Sequence, residues 1–233
     1  MTPSNSSSRP VALVTGASRG IGRAIALDLG RTHHVVLVGR DRESLESTRD
    51  ELSEASVLVL DVADEGSVDA ADLPEKVDVL VHSAGVSGGT TIDEEDRAHW
   101  RSTFEVNVFG VAHLTARLLP AVRAAAGTIV LINSGAGLFS TPGGAVYSAS
   151  KFALRTFADT LREEERENGV RVISVHPGIV DTEMGHGAIS GGGHPERMLR
   201  PETIAAGVRT AVDAPPEAQF EMMSIRPSLS PKG

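Results

Sequence analysis

Hydrophobic residues in this chain form short runs that alternate with longer segments of helical periodicity. Seven of these runs predict β-strands: Val11–Thr15, Val35–Val38, Val57–Leu60, Val77–Val81, Thr128–Ile132, Val172–Val175 and a weaker one at Phe220–Ile225. Most of the runs lack alternating polar positions. This pattern is typical of strands buried on both faces of a parallel sheet.

The segments between these strands predict five helices: Ile21–Gly30, Arg42–Leu52, Arg97–Ala124, Tyr147–Glu167 and Pro201–Val212. Pro120 is expected to bend or end the regular part of the third. Strand–helix alternation along the whole chain predicts the α/β class: a single doubly wound Rossmann-type domain with a mostly or wholly parallel seven-stranded sheet flanked by helices.

We expect this domain to occupy residues 10–226, with a disordered polar tail at 1–9 and a flexible tail at 227–233. The glycine-rich segment 184–200 is predicted to be a mobile lid over the substrate. His186 and His194 lie in that lid without a third ligand at suitable spacing, so no metal site is predicted.

Composition narrows the class of partner. The formal net charge is −9 at pH 7, which argues against nucleic acid and anionic membrane surfaces as partners. The chain has no cysteine, which excludes disulfides and thiolate chemistry. Its first ten residues lack the apolar core of a signal peptide, and no run approaches the ~18 apolar residues of a membrane span. We therefore expect a cytoplasmic protein.

A glycine-rich turn, Gly16-Ala17-Ser18-Arg19-Gly20-Ile21-Gly22, connects the first predicted strand to the first helix. Glycines permit close approach to a ligand, and a helix N-terminus presents free N–H groups and a positive dipole to a diphosphate. The alternative is a tight connection without a ligand. The position after the first strand favours a dinucleotide site formed by Gly16, Ser18, Arg19, Gly20, Ile21 and Gly22.

Arg40 follows the second predicted strand, where dinucleotide folds select between cofactors. An acidic residue at this point accepts hydrogen bonds from the adenosine ribose, whereas an arginine accommodates a 2′-phosphate. Arg19, in the glycine-rich turn, offers a second guanidinium. Taken alone, each arginine is also explained as an ordinary solvated surface residue. Together they predict NADP(H), with NAD(H) as the less favoured cofactor.

Tyr147 and Lys151 are four residues apart and therefore share one face of a predicted helix. Tyr147 is the only tyrosine, and Lys151 is one of three lysines. A nearby ammonium is expected to lower the phenol's pKa, so that the phenol exchanges a proton with a carbonyl or alcohol oxygen. Such pairs also occur by chance. Ser134 follows the fifth predicted strand, where its hydroxyl either contacts a substrate oxygen or only stabilises a turn.

These residues, with others in the same order, resemble the short-chain dehydrogenase/reductase family from about Val11 to Thr182. The motifs are the Thr15–Gly22 turn, Asp61-Val62, Ser83-Ala84-Gly85, Asn107, Ser134, Tyr147 with Lys151, and Pro177-Gly178. Where the family usually has two asparagines before Ala84-Gly85, this chain has His82-Ser83. We interpret His82 as structural. The C-terminal tail also differs from many relatives and is expected to add little to the substrate pocket.

The resemblance implies that Tyr147 is the general acid/base, that Ser134 holds the substrate oxygen and that Lys151 binds the nicotinamide ribose. Asn107 would support a water-linked proton path to Lys151, although a buried helical asparagine also commonly bridges backbone groups. The implied cofactor contacts beyond the glycine-rich turn and Arg40 are Asp61, Val62, Ala84, Gly85, Tyr147, Lys151, Pro177, Gly178, Ile179 and Thr182.

The resulting hypothesis is an NADP(H)-dependent oxidoreductase that reduces a ketone or aldehyde, or oxidises the alcohol. A small-molecule carbonyl or alcohol is thus the expected substrate. The main alternative is a dinucleotide-binding sensor or regulator with little catalysis. A third, an epimerase or dehydratase of the same fold, usually needs a larger C-terminal substrate domain. By resemblance, we expect a homodimer or homotetramer.

Overall fold

A computed structural model describes residues 9–89, 91–94, 96–140, 142–189 and 191–232. The predicted N-terminal tail lies outside the described residues except for Arg9. The strands are β1 (Val11–Thr15), β2 (His34–Gly39), β3 (Ala55–Val59), β4 (Val79–His82), β5 (Thr128–Ile132), β6 (Arg171–Pro177) and β7 (Met222–Ile225).

Helices lie between successive strands of the described chain. They are α1 (Gly20–Leu29), α2 (Arg42–Arg49), α3 (Glu65–Asp69), α4 (Arg97–Phe104), α5 (Gly110–Ala125), α6 (Ala145–Glu165), α7 (Glu183–Gly187) and α8 (Pro201–Val212). The short helices α3 and α7 are too brief to show a helical period, and the sequence did not predict them.

All the strands pair in parallel in one sheet of order β3-β2-β1-β4-β5-β6-β7. The prediction of one Rossmann-type domain with a seven-stranded parallel sheet is confirmed. The strand order reverses between β1 and β4. Ligands of doubly wound folds bind beyond the carboxyl ends of the strands at such a point.

The core consists of two layers because successive strand residues point to opposite faces of the sheet. Val14 and Val81 pack with Ile25 of α1 and Val208 of α8 on one face. On the other face, Leu13, Leu80 and Leu131 pack with residues of α5 and α6, among them Leu114 and Leu154. Burial on both faces explains why the strands read as continuous apolar runs.

The long predicted helix over 97–124 is interrupted, but not at its proline. Helix α5 continues through the exposed Pro120 to Ala125, so this proline does not end the helix, which was one of the two outcomes expected of it. Leu118 and Val122 are fully buried beside it, and this packing compensates for the one backbone donor that proline lacks. The interruption is a π-helical turn, Glu105–Phe109, between α4 and α5.

Candidate active site

The glycine-rich turn after β1 packs directly against the end of β4. Gly16 and Gly20 have φ angles of +66° and +55°, which favour glycine. A Cβ atom on Gly16 would lie only 2.9 Å from the backbone nitrogen of Ala84. The hydroxyl of Thr15 accepts hydrogen bonds from the backbone N–H groups of Ser83 and Ala84, at 3.0 and 3.1 Å. The predicted residues of both segments therefore meet at the point where the strand order reverses.

The other residues of the turn lie beside the same strand ends. Ser18 and Ile21 are partly exposed, and Gly22, in the first turn of α1, packs against the carbonyl of Gly16. The methyl group of Thr182 would lie 3.1 Å from a Cβ atom on Gly20. Thr182 also caps α7 by accepting a hydrogen bond from the Gly185 N–H at 3.1 Å, so the segment after β6 reaches the glycine-rich turn.

Arg19 and Arg40 are exposed and engage different carboxylates. The side chain of Arg19 is 76% exposed and forms an ion pair with Glu183 of α7. Arg40, 72% exposed, lies 4.0 Å from a carboxylate oxygen of Asp61. The other oxygen of Asp61 accepts a hydrogen bond from the Ala63 N–H at 3.0 Å. The structure thus places Arg40 beside Asp61 and Arg19 against Glu183, the residue immediately before the predicted lid.

Tyr147, Ser134 and Lys151 come together at the carboxyl ends of β5 and β6. The Tyr147 hydroxyl hydrogen-bonds the Ser134 side chain, which also accepts from the Ala136 N–H at 3.1 Å. The ammonium nitrogen of Lys151 lies 5.8 Å from the centroid of the Tyr147 ring and donates to the carbonyl of Ile132 at 3.1 Å. Helix α6 and the end of β5 therefore bring the three predicted side chains to one place.

Burial dominates the electrostatics of this cluster. It raises the pKa of Tyr147 above its ordinary value, and the hydrogen bond with Ser134 opposes this only in part. Burial also lowers the pKa of Lys151 from 10.5 to about 8. The expectation that Lys151 lowers the tyrosine pKa is therefore not met, because desolvation disfavours the charged forms of both side chains.

Asn107 lies in the π-helical turn and is completely buried. Its side chain bridges the backbone of Val86, accepting from the N–H and donating to the carbonyl, each at 2.9 Å. It also donates to the Ser150 hydroxyl at 3.1 Å, and that hydroxyl donates to the Tyr147 carbonyl at 2.7 Å. Asn107 thus connects the chain after β4 to the first turn of α6. Ser150, which the sequence analysis missed, completes this connection.

Gly85 separates Asn107 from Lys151. A Cβ atom on Gly85 would lie 3.3 Å from the Asn107 side-chain oxygen and 3.8 Å from the Lys151 nitrogen. The absence of a side chain there leaves a narrow space, bordered by both polar groups, beside the Tyr147 helix.

His176 is a buried histidine that holds the backbone of Ser134 in place. The sequence analysis did not identify it. The Nδ1–H of His176 donates to the backbone carbonyl of Ser134 at 2.8 Å, while its Nε2 pairs with the Ser174 hydroxyl at 2.9 Å. Asn133 donates to the same hydroxyl at 3.3 Å. Burial lowers the pKa of His176, which favours its neutral ring. The sequence offered one indication of its role, since His176 immediately precedes the Pro177-Gly178 motif.

His82 packs away from the cleft. It is 2% exposed, and its Nε2–H donates to the Thr115 hydroxyl, which in turn donates to the Val111 carbonyl. Burial lowers the pKa of His82 to about 4. These contacts agree with the interpretation of His82 as structural.

The segment after β6 lies between the site and the C-terminal tail. Pro177 ends β6 opposite Ile225, and the Gly178 N–H donates to the Ile225 carbonyl at 2.7 Å. The Ile179 carbonyl accepts from the Leu199 N–H at 3.0 Å. Val62, partly buried, packs against the α5 side of the sheet. Backbone pairing with β7 and Leu199 therefore fixes the positions of the predicted contacts Pro177, Gly178 and Ile179.

Two general features of the described residues complete this picture. None of their helices combines the length and the hydropathy that crossing a bilayer requires. Within the same ranges, no three His, Asp or Glu side chains are arranged to hold a metal ion.

Comparison with known proteins agrees with this geometry. The family model for short chain dehydrogenases matches residues 10–191. An uncharacterized oxidoreductase of Staphylococcus epidermidis is 33% identical over 225 residues, covering 93% of this chain and 96% of the relative.

Two solved structures are similar over almost their whole length. An alcohol dehydrogenase from the archaeon Thermococcus sibiricus, complexed with 5-hydroxy-NADP, is 29% identical with a TM-score of 0.83, over 94% of this chain and 97% of that one. A serine dehydrogenase complexed with NADP+ is 28% identical with a TM-score of 0.84, over 92% and 94%. The family model matches most of the chain, and similarity of sequence and fold extends over more than nine-tenths of it. This chain therefore belongs to the short-chain dehydrogenase/reductase family of oxidoreductases.

Proposed function

We propose that this protein uses NADP(H) to interconvert a ketone or aldehyde and the corresponding alcohol, with Tyr147 as the general acid/base. The observation that carries the proposal is the contact of the Tyr147 hydroxyl with Ser134, one helical turn from the buried ammonium of Lys151. The two solved relatives are named as dehydrogenases of alcohols and of serine, and both names imply oxidation at a hydroxyl-bearing carbon.

The residues present fit a nicotinamide dinucleotide. Gly16 and Gly22 hold the turn so close to its surroundings that a side chain at either position would overlap backbone atoms. The start of α1 offers unpaired N–H groups to a diphosphate. Lys151 uses only one of its donors on Ile132 among the described residues, which leaves others for ribose hydroxyls. Because Gly85 has no side chain, room is left for the nicotinamide ring beside Asn107 and Lys151.

The mechanism follows from the protonation states of the chain's own residues. A bound nicotinamide supplies or accepts the hydride. Ser134 donates a hydrogen bond to the substrate oxygen and orients it toward Tyr147. Because burial raises the pKa of Tyr147, the phenol keeps its proton at neutral pH and donates it as charge develops on that oxygen. The protonated phenol is the form that carbonyl reduction requires. Lys151 compensates the negative charge that remains on Tyr147.

NADP(H) is favoured over NAD(H) by the two exposed guanidinium groups. Arg40 stands at the end of β2, and its nearest carboxylate, Asp61, is held at 4.0 Å. A 2′-phosphate is a better bidentate partner for an arginine than a loosely placed carboxylate. Arg19 pairs with Glu183, an exposed contact that a phosphate competes with readily.

Replacement of Tyr147 by Phe tests the proposal. We expect kcat to fall by about 10²–10⁴-fold on a confirmed carbonyl substrate, since the proton donor is lost. The dissociation constant for NADPH, measured by fluorescence titration, should change by less than about threefold, because a phenyl ring keeps the packing of α6.

Wild-type turnover by the Phe variant would contradict the assignment of Tyr147. Binding of NADPH by the wild-type protein without turnover across a broad carbonyl panel would instead favour the dinucleotide-binding sensor. Phe157 to Leu, a change elsewhere on α6, serves as the control for nonspecific effects on the helix.

A further inference from the structure

Arg226 extends from the end of β7 across the top of the candidate active site. Its backbone neighbour Ile225 accepts a hydrogen bond from the Gly178 N–H at 2.7 Å, which fixes this residue beside the turn after β6. A Cβ atom on Gly135 would lie 3.0 Å from a terminal guanidinium nitrogen of Arg226. Gly135 directly follows Ser134. The guanidinium therefore lies next to the residue that holds the substrate oxygen.

The guanidinium of Arg226 has an aromatic neighbour and no acidic partner. Its central carbon lies 4.8 Å from the centroid of the Phe139 ring, and the residue is exposed. Among the described residues, no carboxylate pairs with it. This contrasts with Arg19 and Arg40, each of which faces a carboxylate. Carboxylates outnumber basic side chains in this chain, whose net charge is −9, and yet none of the described ones pairs with Arg226. Its guanidinium is therefore available to an anion from solution.

The Phe139 ring positions the Arg226 guanidinium without accepting hydrogen bonds from its N–H groups. Stacking on an aromatic ring restricts the long arginine side chain while the planar fork of N–H groups remains free. Glycine at position 135 keeps the approach open, because a Cβ there would also lie 3.2 Å from the Phe139 ring. An anion that pairs with Arg226 is consequently held beside Gly135, the residue that follows Ser134.

We propose that Arg226 selects substrates that carry an anionic group, a carboxylate or a phosphate, within a few bonds of the reacting carbonyl. The inference rests on the proposed function, since Ser134 and Tyr147 define where the carbonyl oxygen lies. Arg226 binds the anion bidentately, and Phe139 provides an apolar wall beside it.

Two matched pairs of compounds test this inference: acetoacetate with methyl acetoacetate, and dihydroxyacetone phosphate with dihydroxyacetone. Binding of each to the full-length protein saturated with NADP+ is measured by calorimetry, and turnover is measured separately with NADPH. We expect the wild-type protein to prefer at least one anion over its neutral partner by about 10- to 100-fold, the effect of hydrogen bonds to a charged group. The pair with the larger ratio identifies carboxylate or phosphate.

Arg226 to Gln should bring this ratio to within about threefold of unity, and Arg226 to Lys should keep part of it, because a charge remains without the fork. Arg166 to Gln is the matched control. It removes an exposed arginine at the far end of α6, where the partner is Glu163, and should leave the ratio unchanged.

Absence of an anion preference in the wild-type protein, or an unchanged preference in Arg226 to Gln, would overturn the inference. The readout is independent of the proposed chemistry, because Tyr147 to Phe should abolish turnover and retain the anion preference. Turnover of the neutral compounds without any anion preference would overturn only the role of Arg226 and leave the oxidoreductase function intact.

Discussion

The two ends of the candidate cleft are built from different kinds of polar side chain. At the reaction end, Asn107 and Lys151 are 0% and 4% exposed and are tied to backbone carbonyls. At the end that we propose for the adenosine, Arg19 and Arg40 are exposed and each faces one carboxylate. Buried hydrogen bonds fix geometry and are costly to break, whereas exposed ion pairs are weak and exchange partners easily. We infer that the reaction geometry is preorganised and that cofactor preference is easily changed.

The largest expected effect concerns the cost of burying Lys151. Its pKa is lowered from 10.5 to about 8 in the folded protein, so below pH 8 the protein carries a buried charge that the unfolded chain exposes to water. Between pH 8 and 10.5 the unfolded chain binds more protons, and this contribution raises stability with pH. Lys151 to Met should therefore increase the free energy of unfolding at pH 7 by up to about 3 kcal/mol, and the gain should shrink as pH rises through that window.

Urea denaturation at pH 7, 8, 9 and 10 measures this difference. Lys76 to Met is the control, since Lys76 is exposed and its partner Asp78 lies 3.6 Å away. A difference between wild type and Lys151 to Met that does not vary with pH would mean that the ammonium is not desolvated, and the contrast between the two ends would weaken.

An intermediate effect is expected at Asn107, which holds the first turn of α6 to the chain after β4. Asn107 to Ala removes both hydrogen bonds to Val86 and the one to Ser150. We expect kcat to fall by about 10- to 100-fold, because the Tyr147 hydroxyl loses its fixed position. The dissociation constant for NADPH should change far less. Steady-state kinetics and fluorescence titration together separate these two effects.

Asn168 to Ala provides the comparison for Asn107, since it removes an asparagine from the exposed 3₁₀ turn that follows α6, where its partner is Glu165. Equal losses of kcat in the two variants would show that Asn107 acts only through general stability.

The smallest effect is expected at the exposed end. Arg40 to Asp should weaken NADPH binding by about tenfold and leave NADH binding equal or slightly tighter, because the carboxylate repels a 2′-phosphate and accepts from ribose hydroxyls. Titration with both cofactors gives the ratio. Arg42 to Asp is the control, because it makes the same change in net charge two residues away from Arg40. Equally tight binding of NADH and NADPH by the wild-type protein would remove the proposed preference.

Sequence patterns predicted the sheet well where burial dominates. The bounds of β1 and β5 are the predicted ones, because every residue from Ala12 to Thr15 and from Thr128 to Ile132 is buried. The strand β3 begins two residues before its predicted start, at Ala55, where exposed and partly buried residues alternate. At such an edge, pairing with β2 sets the bounds more than hydrophobicity does.

The candidate site was predictable as a set of motifs but not as a set of contacts. Sequence order placed Ser134, Tyr147 and Lys151 at strand ends and on one helix face, and the structure brings them together. The direction of the tyrosine pKa was wrong because burial is not visible in the spacing of Tyr147 and Lys151. Arg226 was missed because the residue is 92 positions from Ser134 in the chain. Only the pairing of β6 with β7 brings it there.

A change in the length of the π-helical turn at Glu105–Phe109 should affect the fold and the chemistry to different extents. Such a turn accommodates one more residue than an α-helical turn, so the flanking helices keep the faces that they bury. Loss of one residue from this turn would restore a continuous α-helix, with Thr103 of α4 and Leu114 of α5 still in the core. The side chain of Asn107 would no longer reach Val86. Lineages that lose or gain a residue here would therefore keep the architecture while changing the reaction end of the cleft.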